Sequence, residues 1–337
     1  MKARVGWLDG VVVMTKSGLL RFDPLKKESR GSVEIFISHA HNDHLGGLGS
    51  DVKGYFTSES RDILSEGKYK EKLGNFIPLR YGDDVSFGGV NVTVHNSGHV
   101  LGSAQYEIRD AETSIVYTGD LNCRDMLTTK AADVVSCDTL IVETTYGTPF
   151  YVFPGLTEIH VNIINWAIGE IQKGRTPTFV TYSVGKAQEI VKVFNEFTSI
   201  PIVASPYVAR VNEVYGRNGV KLNYANSMSE EGKECLKQSC VQVVSLSEKS
   251  DVVGSCSFAI ATGWALKPNV NYVNAAFPLS SHADFNQLVD YVKRVKPKEV
   301  FTVHGFKKDF ASYLSRKLGI RAREIPPIKQ SSLRAFM

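Results

Sequence analysis

Hydrophobic residues along the chain fall into short runs that break off at a polar residue. Val33-Glu34-Ile35-Phe36-Ile37 is strand-like and opens directly into His39, His41, Asp43 and His44 within FISHAHNDHLGGL, residues 36–48. Val90, Val92 and Val94 alternate with Asn91, Thr93 and His95, the period of a half-buried strand, before the chain reaches His99. The run in TSIVYTGD stops at Asp120, that in DTLIVETTYG at Glu143, and that in KEVFTVHG at His304. A buried sheet built from such segments delivers its strand-end side chains to one rim on a rigid scaffold. The recurrence of carboxylates and imidazoles at these ends, more than any single one, points to a site.

Between Gly147 and Lys267 the pattern changes. PTFVTYSVGKAQEIVKVFNEF predicts a strand, a glycine turn and an amphipathic helix with Ile190, Val191, Phe194 and Phe197 at helical spacing. IPIVASPYVARVNEVY reads as a second such unit, and CSFAIATGWAL as a third strand. Strands alternating with helices predict a parallel, Rossmann-like sheet. ADFNQLVDYVKRV then predicts a helix with Phe285, Leu288, Val289 and Val292 on one face, followed by the strand that ends at His304. That strand matches the first half in character. The middle is therefore expected to split one domain: residues 1–148 and 268–325 form its two parts, 149–267 the insertion, and 326–337 a tail.

Composition narrows the class without choosing a function. A chain of 337 residues, 43% hydrophobic and 22% charged, can bury two sizeable cores. The net charge of +4 permits a polyanionic partner but does not argue for one, because a local groove matters more than the total. No stretch approaches the ~18 apolar residues of a membrane span, and Asp9 interrupts the apolar N-terminal run, against a signal peptide. Five cysteines without a C-x-x-C pair fit a reduced, cytoplasmic protein and argue against a zinc ribbon.

His39, His41, His44, His99, His282 and His304 all sit in loop-like positions beside glycine, serine or an acid. Imidazoles with carboxylates make sites for zinc or manganese. His39 and His41, two apart, can point from one extended segment toward one ion; Asp43 and His44, adjacent at a helix start, can face a second. Asp120 could bridge both. Gly46 and Gly47 are expected to let the backbone turn close to the metals. His95, on the polar side of its strand, and His160, inside the helix-like LTEIHVNIINWAI, are expected to be structural.

The segments HAHNDH, SGHVLGSAQ, TGD, ETTYG, SSHAD and VHG occur in the order seen in metallo-β-lactamase-fold nucleases of the β-CASP group, which the chain resembles over nearly its whole length. GTPFY after ETTY, together with TYSVGKAQE, looks closest to bacterial exonucleases associated with an ATP-dependent DNA ligase. The resemblance implies an α/β fold: a metallo-β-lactamase αββα sandwich with an inserted Rossmann-like β-CASP domain. It implies two zinc ions, or manganese in their place. His39, His41 and His99 would hold one, Asp43, His44 and His304 the other, with Asp120 bridging. Glu143 and His282 match the group's acid and histidine motifs; His282 is the candidate general acid, oriented by Glu143. Asp43 and Asp120 join them as candidate catalytic residues.

Further residues are candidates for substrate and partner binding. Lys186, where YSVGKAQE begins a helix, and the hydroxyls of Ser280 and Ser281 could hold a terminal phosphate. Pro326-Pro327 gives a stiff spacer, and Gln330-x-x-Leu333-x-x-Phe336-Met337 resembles the box that binds the DNA sliding clamp, with Leu333 and Phe336 as an apolar plug and Met337 where a second aromatic is usual. The expected substrate is single-stranded or end-exposed nucleic acid, with DNA favoured over RNA, and no membrane is involved. A DNA exonuclease or end-processing enzyme in repair or replication is the first reading. A ribonuclease of the RNA-processing branch is the alternative. An inactive, clamp-tethered binding protein and a small-molecule hydrolase stand behind these.

Overall fold

The computed structural model describes residues 3–16, 18–28, 33–252, 254–267 and 273–328. The expected clamp-binding residues Gln330, Leu333, Phe336 and Met337 lie outside them. Contacts divide the described residues into two units: one within Met1–Asp125, Lys130–Phe150 and His282–Met337, the other within Met126–Thr129 and Tyr151–Ser281.

The first unit begins with strands β1 (Arg4–Trp7), β2 (Val11–Thr15), β3 (Gly18–Phe22), β4 (Val33–Phe36), β5 (Gly54–Thr57) and β6 (Phe76–Leu79), which form one sheet in chain order. Pairing is antiparallel through β3 and parallel from β3 to β6. Helix α1 (Ser58–Ser65) buries Ile63 and Leu64 and is capped by Thr57, whose Oγ1 accepts from Ser60 N. A second sheet starts with β7 (Asp84–Phe87), β8 (Val90–Asn96), β9 (Ala104–Arg109), β10 (Ser114–Tyr117) and β11 (Thr139–Glu143). The alternation in β8 is real: Val90, Val92 and Val94 are buried, Asn91 is exposed, and Thr93 and His95 are part-buried.

The inserted unit contains α2 (Leu156–Gln172), β12 (Thr176–Thr181), α3 (Lys186–Phe197), β13 (Ile202–Ala204), α4 (Pro206–Arg217), β14 (Ala225–Asn226), α5 (Glu230–Cys235), β15 (Val241–Ser245), β16 (Cys256–Ala261) and β17 (Ala275–Phe277). Its sheet, ordered β14-β13-β15-β12-β16-β17, is parallel at every pairing, as the strand–helix alternation predicts. Two expectations need correcting. The insertion does not stop at residue 267, because β17 pairs with β16 and carries the unit on to Ser281. Phe197 does not join the core: Ile190, Val191 and Phe194 are fully buried, whereas Phe197, the last residue of α3, is 55% exposed beside the His160 ring.

The chain then returns to the first unit through α6 (Phe285–Val295), β18 (Glu299–Val303), α7 (Lys307–Leu318) and β19 (Ala322–Glu324). β18 pairs parallel to β11, which completes the order β19-β18-β11-β10-β9-β8-β7. Phe22, Phe36 and Tyr55 of the first sheet pack against Val92, Tyr106, Tyr117 and Phe301 of the second, so the two sheets share one core. On the other face of the second sheet, Leu140, Val142 and Val300 meet Leu288 and Val292 of α6 and Phe310 of α7. This is the αββα sandwich, and the ends of β3, β4, β8, β10, β11 and β18 lead into the loops that carry the candidate site.

Candidate metal centre

Asp23 follows β3 and orders the site before any candidate ligand is considered. Its backbone is in the left-handed region (φ +47°), which Asp tolerates better than most residues. Its buried carboxylate accepts four hydrogen bonds: Ser38 N at 2.7 Å, Ser38 Oγ at 2.6 Å, His44 Nδ1 at 2.8 Å and Tyr117 Oη at 2.8 Å. Burial alone would raise this carboxyl, but His44 and the Ser38 hydrogen bonds outweigh it and hold it below its ordinary value.

These bonds dictate which imidazole nitrogens face inward. Ser38 gives its hydroxyl proton to Asp23, so its oxygen accepts from Nδ1–H of His39 at 2.9 Å. That leaves the lone pair of His39 on Nε2. His44 likewise spends its Nδ1–H on Asp23 and turns Nε2 toward Asp120 Oδ2, 3.5 Å away, and Asp43 Oδ2, 3.7 Å away. Such outer carboxylates fix tautomer and ring orientation in metal-binding histidines.

Four donors then converge. His41 Nδ1 lies 3.0 Å from His39 Nε2 and 3.1 Å from His99 Nε2; Asp120 Oδ2 lies 3.5 Å from His39 Nε2 and 3.6 Å from His99 Nε2. All four ligand atoms fall within 4.8 Å of one another. Nitrogen and oxygen ligands about 2.0–2.1 Å from a tetrahedral zinc ion are about 3.3 Å apart, so these separations fit one shared cation. Burial, followed by the neighbouring histidines, pushes the His39 imidazole well below its ordinary value and keeps it neutral, as a ligand must be. Burial raises the Asp120 carboxyl, while His44 and His282 oppose the rise.

The second expected ligand set is looser. His44 and Asp120 are close, but the Asp43 side chain is 82% exposed, and the rings of His44 and His304 stand 5.9 Å apart between centroids. His304 has φ +57° and a buried Nε2 with no hydrogen-bond partner. A buried imidazole nitrogen with no hydrogen-bond partner, close to His44, fits a metal ligand. Burial would lower His44, but Asp120, Asp23 and Asp43 outweigh it and lift the imidazole to about 10. The carboxylates there demand positive charge.

Glu143 and His282 form a separate pair beside this cluster. Glu143, fully buried at the end of β11, accepts His282 Nδ1–H at 2.9 Å, Leu121 N at 3.1 Å and Thr145 N at 2.8 Å. Burial pushes its carboxyl up, but the His282 charge and hydrogen bond win and hold it at about 2. Asp120, Glu143 and His282 also lie close enough together to be read as ligands. Glu143 already spends both oxygens on hydrogen bonds, so the pair is better suited to orienting a proton donor. His282 Nε2 lies 3.9 Å from Asp120 Oδ2 and faces the cluster.

The glycines of HNDHLGG have a different reason from the expected one. A Cβ at Gly46 would sit 2.3 Å from the Leu25 carbonyl group, and one at Gly47 would sit 2.7 Å from Pro24. They let the ligand loop lie flat on the segment after Asp23. His95 pairs with Glu107 at 3.0 Å, and His160 is buried within α2. In the inserted unit Ser280 and Ser281 are buried, and Lys186, also buried at the start of α3, approaches Ser281 Oγ at 3.5 Å and the Tyr182 ring at 5.3 Å. Asp23, Ser38 and Tyr117 were not singled out from the sequence. The signal for Asp23 was present, since GLLRFD is one more apolar run that ends in a carboxylate.

Residues 267–323 match the family described as the Zn-dependent metallo-hydrolase RNA specificity domain. The chain is 30% identical over 305 residues to a probable DNA ligase of Opitutus terrae, covering 88% of this chain but only 29% of that protein. It is 24% identical over 400 residues to RNase aCSPSF2 of Saccharolobus solfataricus, covering 94% of this chain and 79% of the relative. A crystal structure of a protein of unknown function from Enterococcus faecalis superposes with a TM-score of 0.66 at 15% identity, over 97% of this chain and 98% of the other.

Proposed function

Because the chain belongs to the β-CASP group of metallo-β-lactamase-fold nucleases, we propose that this metal-dependent nuclease trims or processes DNA ends by phosphodiester hydrolysis, in repair or replication. The carrying observation is the convergence of His39, His41, His99 and Asp120 beside the Glu143–His282 pair. When bound, divalent cations at such a ligand set lower the pKa of water and polarise a phosphoryl oxygen. Two zinc ions, or manganese, are proposed, with Asp120 shared between the ligand sets and Asp43, His44 and His304 completing the second.

The chain's own residues do the rest. Glu143 takes Nδ1–H of His282, leaving Nε2 to carry a proton to the departing oxygen of the cleaved bond. Glu143 stabilises the imidazolium until the proton is delivered. Asp23 and Ser38 hold His39 and His44 so that their lone pairs stay aimed inward. Lys186, Ser280 and Ser281 are proposed to bind a terminal phosphate, which would favour attack from an end. The segment with Gln330, Leu333, Phe336 and Met337 is proposed to engage a sliding clamp.

Support for DNA comes from likeness over most of this chain to a protein named as a DNA ligase. RNA is the second reading, favoured by the RNA-specificity match at residues 267–323 and by a relative named as an RNase. Matched 5′-labelled DNA and RNA, single- and double-stranded, incubated with zinc or manganese, separate the two. Faster cleavage of DNA, releasing mononucleotides from one end, is expected; cleavage of RNA alone overturns the DNA reading.

A further inference from the structure

A cavity of about 580 Å³ lies within the first unit against His304, walled by Trp7, Ile325 and Pro327, with Lys307 and Glu324 also lining it. Its volume falls in the range of sites for small organic groups, roughly 300–1,000 Å³. Trp7 meets His304 edge to face, with ring centroids 5.7 Å apart and planes at 85°. One aromatic wall therefore both touches a candidate metal ligand and lines the cavity. The wall is preformed, because Trp7 N donates to Pro326 O at 2.8 Å and Ile328 N donates to Trp7 O at 2.9 Å.

Charge decides what fits. Lys307 Nζ is 3.3 Å from Glu324 Oε2, and both side chains remain partly exposed, at 48% and 41%. A phosphate there would meet a carboxylate and a lysine already neutralised by it. A planar heterocycle suits the cavity better: indole and proline offer apolar faces, while an ammonium donor beside a carboxylate acceptor matches the mixed hydrogen-bonding edge of a base.

We propose that this cavity is a nucleobase subsite, receiving the base of a nucleotide close to the phosphate under attack. The base stacks on Trp7, and the Lys307–Glu324 pair reads its edge. This rests on the nuclease reading above. Stacking a base on an aromatic side chain changes affinity by roughly five- to a hundredfold.

The test uses the metal-loaded 337-residue chain and oligonucleotides with a hydrolysis-resistant phosphorothioate backbone, so that binding is measured without cleavage. A single abasic site is walked along a labelled single-stranded oligonucleotide, and affinity is read by fluorescence anisotropy. The subsite predicts one position where losing the base weakens binding roughly fivefold or more, and where this penalty falls below about twofold in Trp7→Ala. Trp7→Phe, which keeps an aromatic wall, should retain the penalty. Glu324→Gln, on a partly exposed side chain, should change which base is preferred at that position. An equal penalty at every position in the unaltered protein and in Trp7→Ala overturns the subsite. Absence of any oligonucleotide binding, with no cleavage of the ordinary phosphodiester oligonucleotide, sinks the nuclease reading itself.

Discussion

Replacing Asp23 with asparagine removes one charge and one acceptor from a group that touches no substrate. Asparagine keeps the shape and accepts the left-handed backbone at φ +47°. Every group around the carboxylate donates: Ser38 N, Ser38 Oγ, His44 Nδ1 and Tyr117 Oη. Whichever way the amide turns, its NH₂ faces at least one donor. The milder orientation sets it against Ser38 N, leaving a buried N–H unsatisfied at a cost of about 1–3 kcal/mol. The other bonds lose their charge assistance, so a total destabilisation of about 2–4 kcal/mol is expected.

A second effect falls on the metal. The anchor of His44 is weakened directly and that of His39 through Ser38, because an amide oxygen is a weaker acceptor than a carboxylate, and outer-carboxylate changes of this kind cost about 10- to 100-fold in metal affinity, or about 1.4–2.7 kcal/mol. Zinc competition with a chromophoric chelator measures the affinity, and urea denaturation measures the stability. If Asp23→Asn binds zinc within about threefold of the unaltered protein, the Asp23 charge does not strengthen His39 and His44 as ligands and that part of the reasoning is wrong.

His282→Ala should retain its metal yet lose about 10²–10⁴ in kcat, the usual contribution of a general acid; a wild-type rate removes His282 from that role. Asp120→Ala should lose turnover and bound metal together, with elemental analysis showing fewer ions per chain; full loading would contradict Asp120 as a shared ligand. Glu170 is held at about 2 by hydrogen bonds from Lys173, Ser257 and Arg175. A carboxyl depressed on folding contributes stability above its unfolded pKa of ~4.3 that is lost as pH falls toward 2. Thermal denaturation should therefore show the advantage of the native protein over Glu170→Gln shrinking between pH 5.5 and 3.5, and a constant gap would refute this. Truncation after Lys329 should abolish sliding-clamp affinity; unchanged affinity ends that proposal.

Much of the fold can be read from periodicity because periodicity reflects burial. Val90, Val92 and Val94 alternate in the chain and are buried in the sheet, and the strand–helix units of the middle segment become a parallel sheet. Local pattern fails where an element meets its end. Phe197 has the spacing of a core residue, but α3 stops there and leaves it more than half exposed. The boundary at residue 267 fails for a related reason. Three residues of β17 carry too little pattern to announce that they pair with β16.

The candidate ligands His39, His41, His99 and Asp120 can be picked out from the chain because chemistry at strand ends is a local signal. Their partners cannot. Asp23 and Tyr117 are 94 positions apart, and His282 and Glu143, 139 apart, are joined beforehand only by the family resemblance and not by any local pattern. Composition and spacing proposed which side chains could bind a cation. Only the packing of two sheets across a shared core decided which nitrogen each imidazole turns inward, since a tautomer is set by a hydrogen bond to a residue that sequence distance does not reveal.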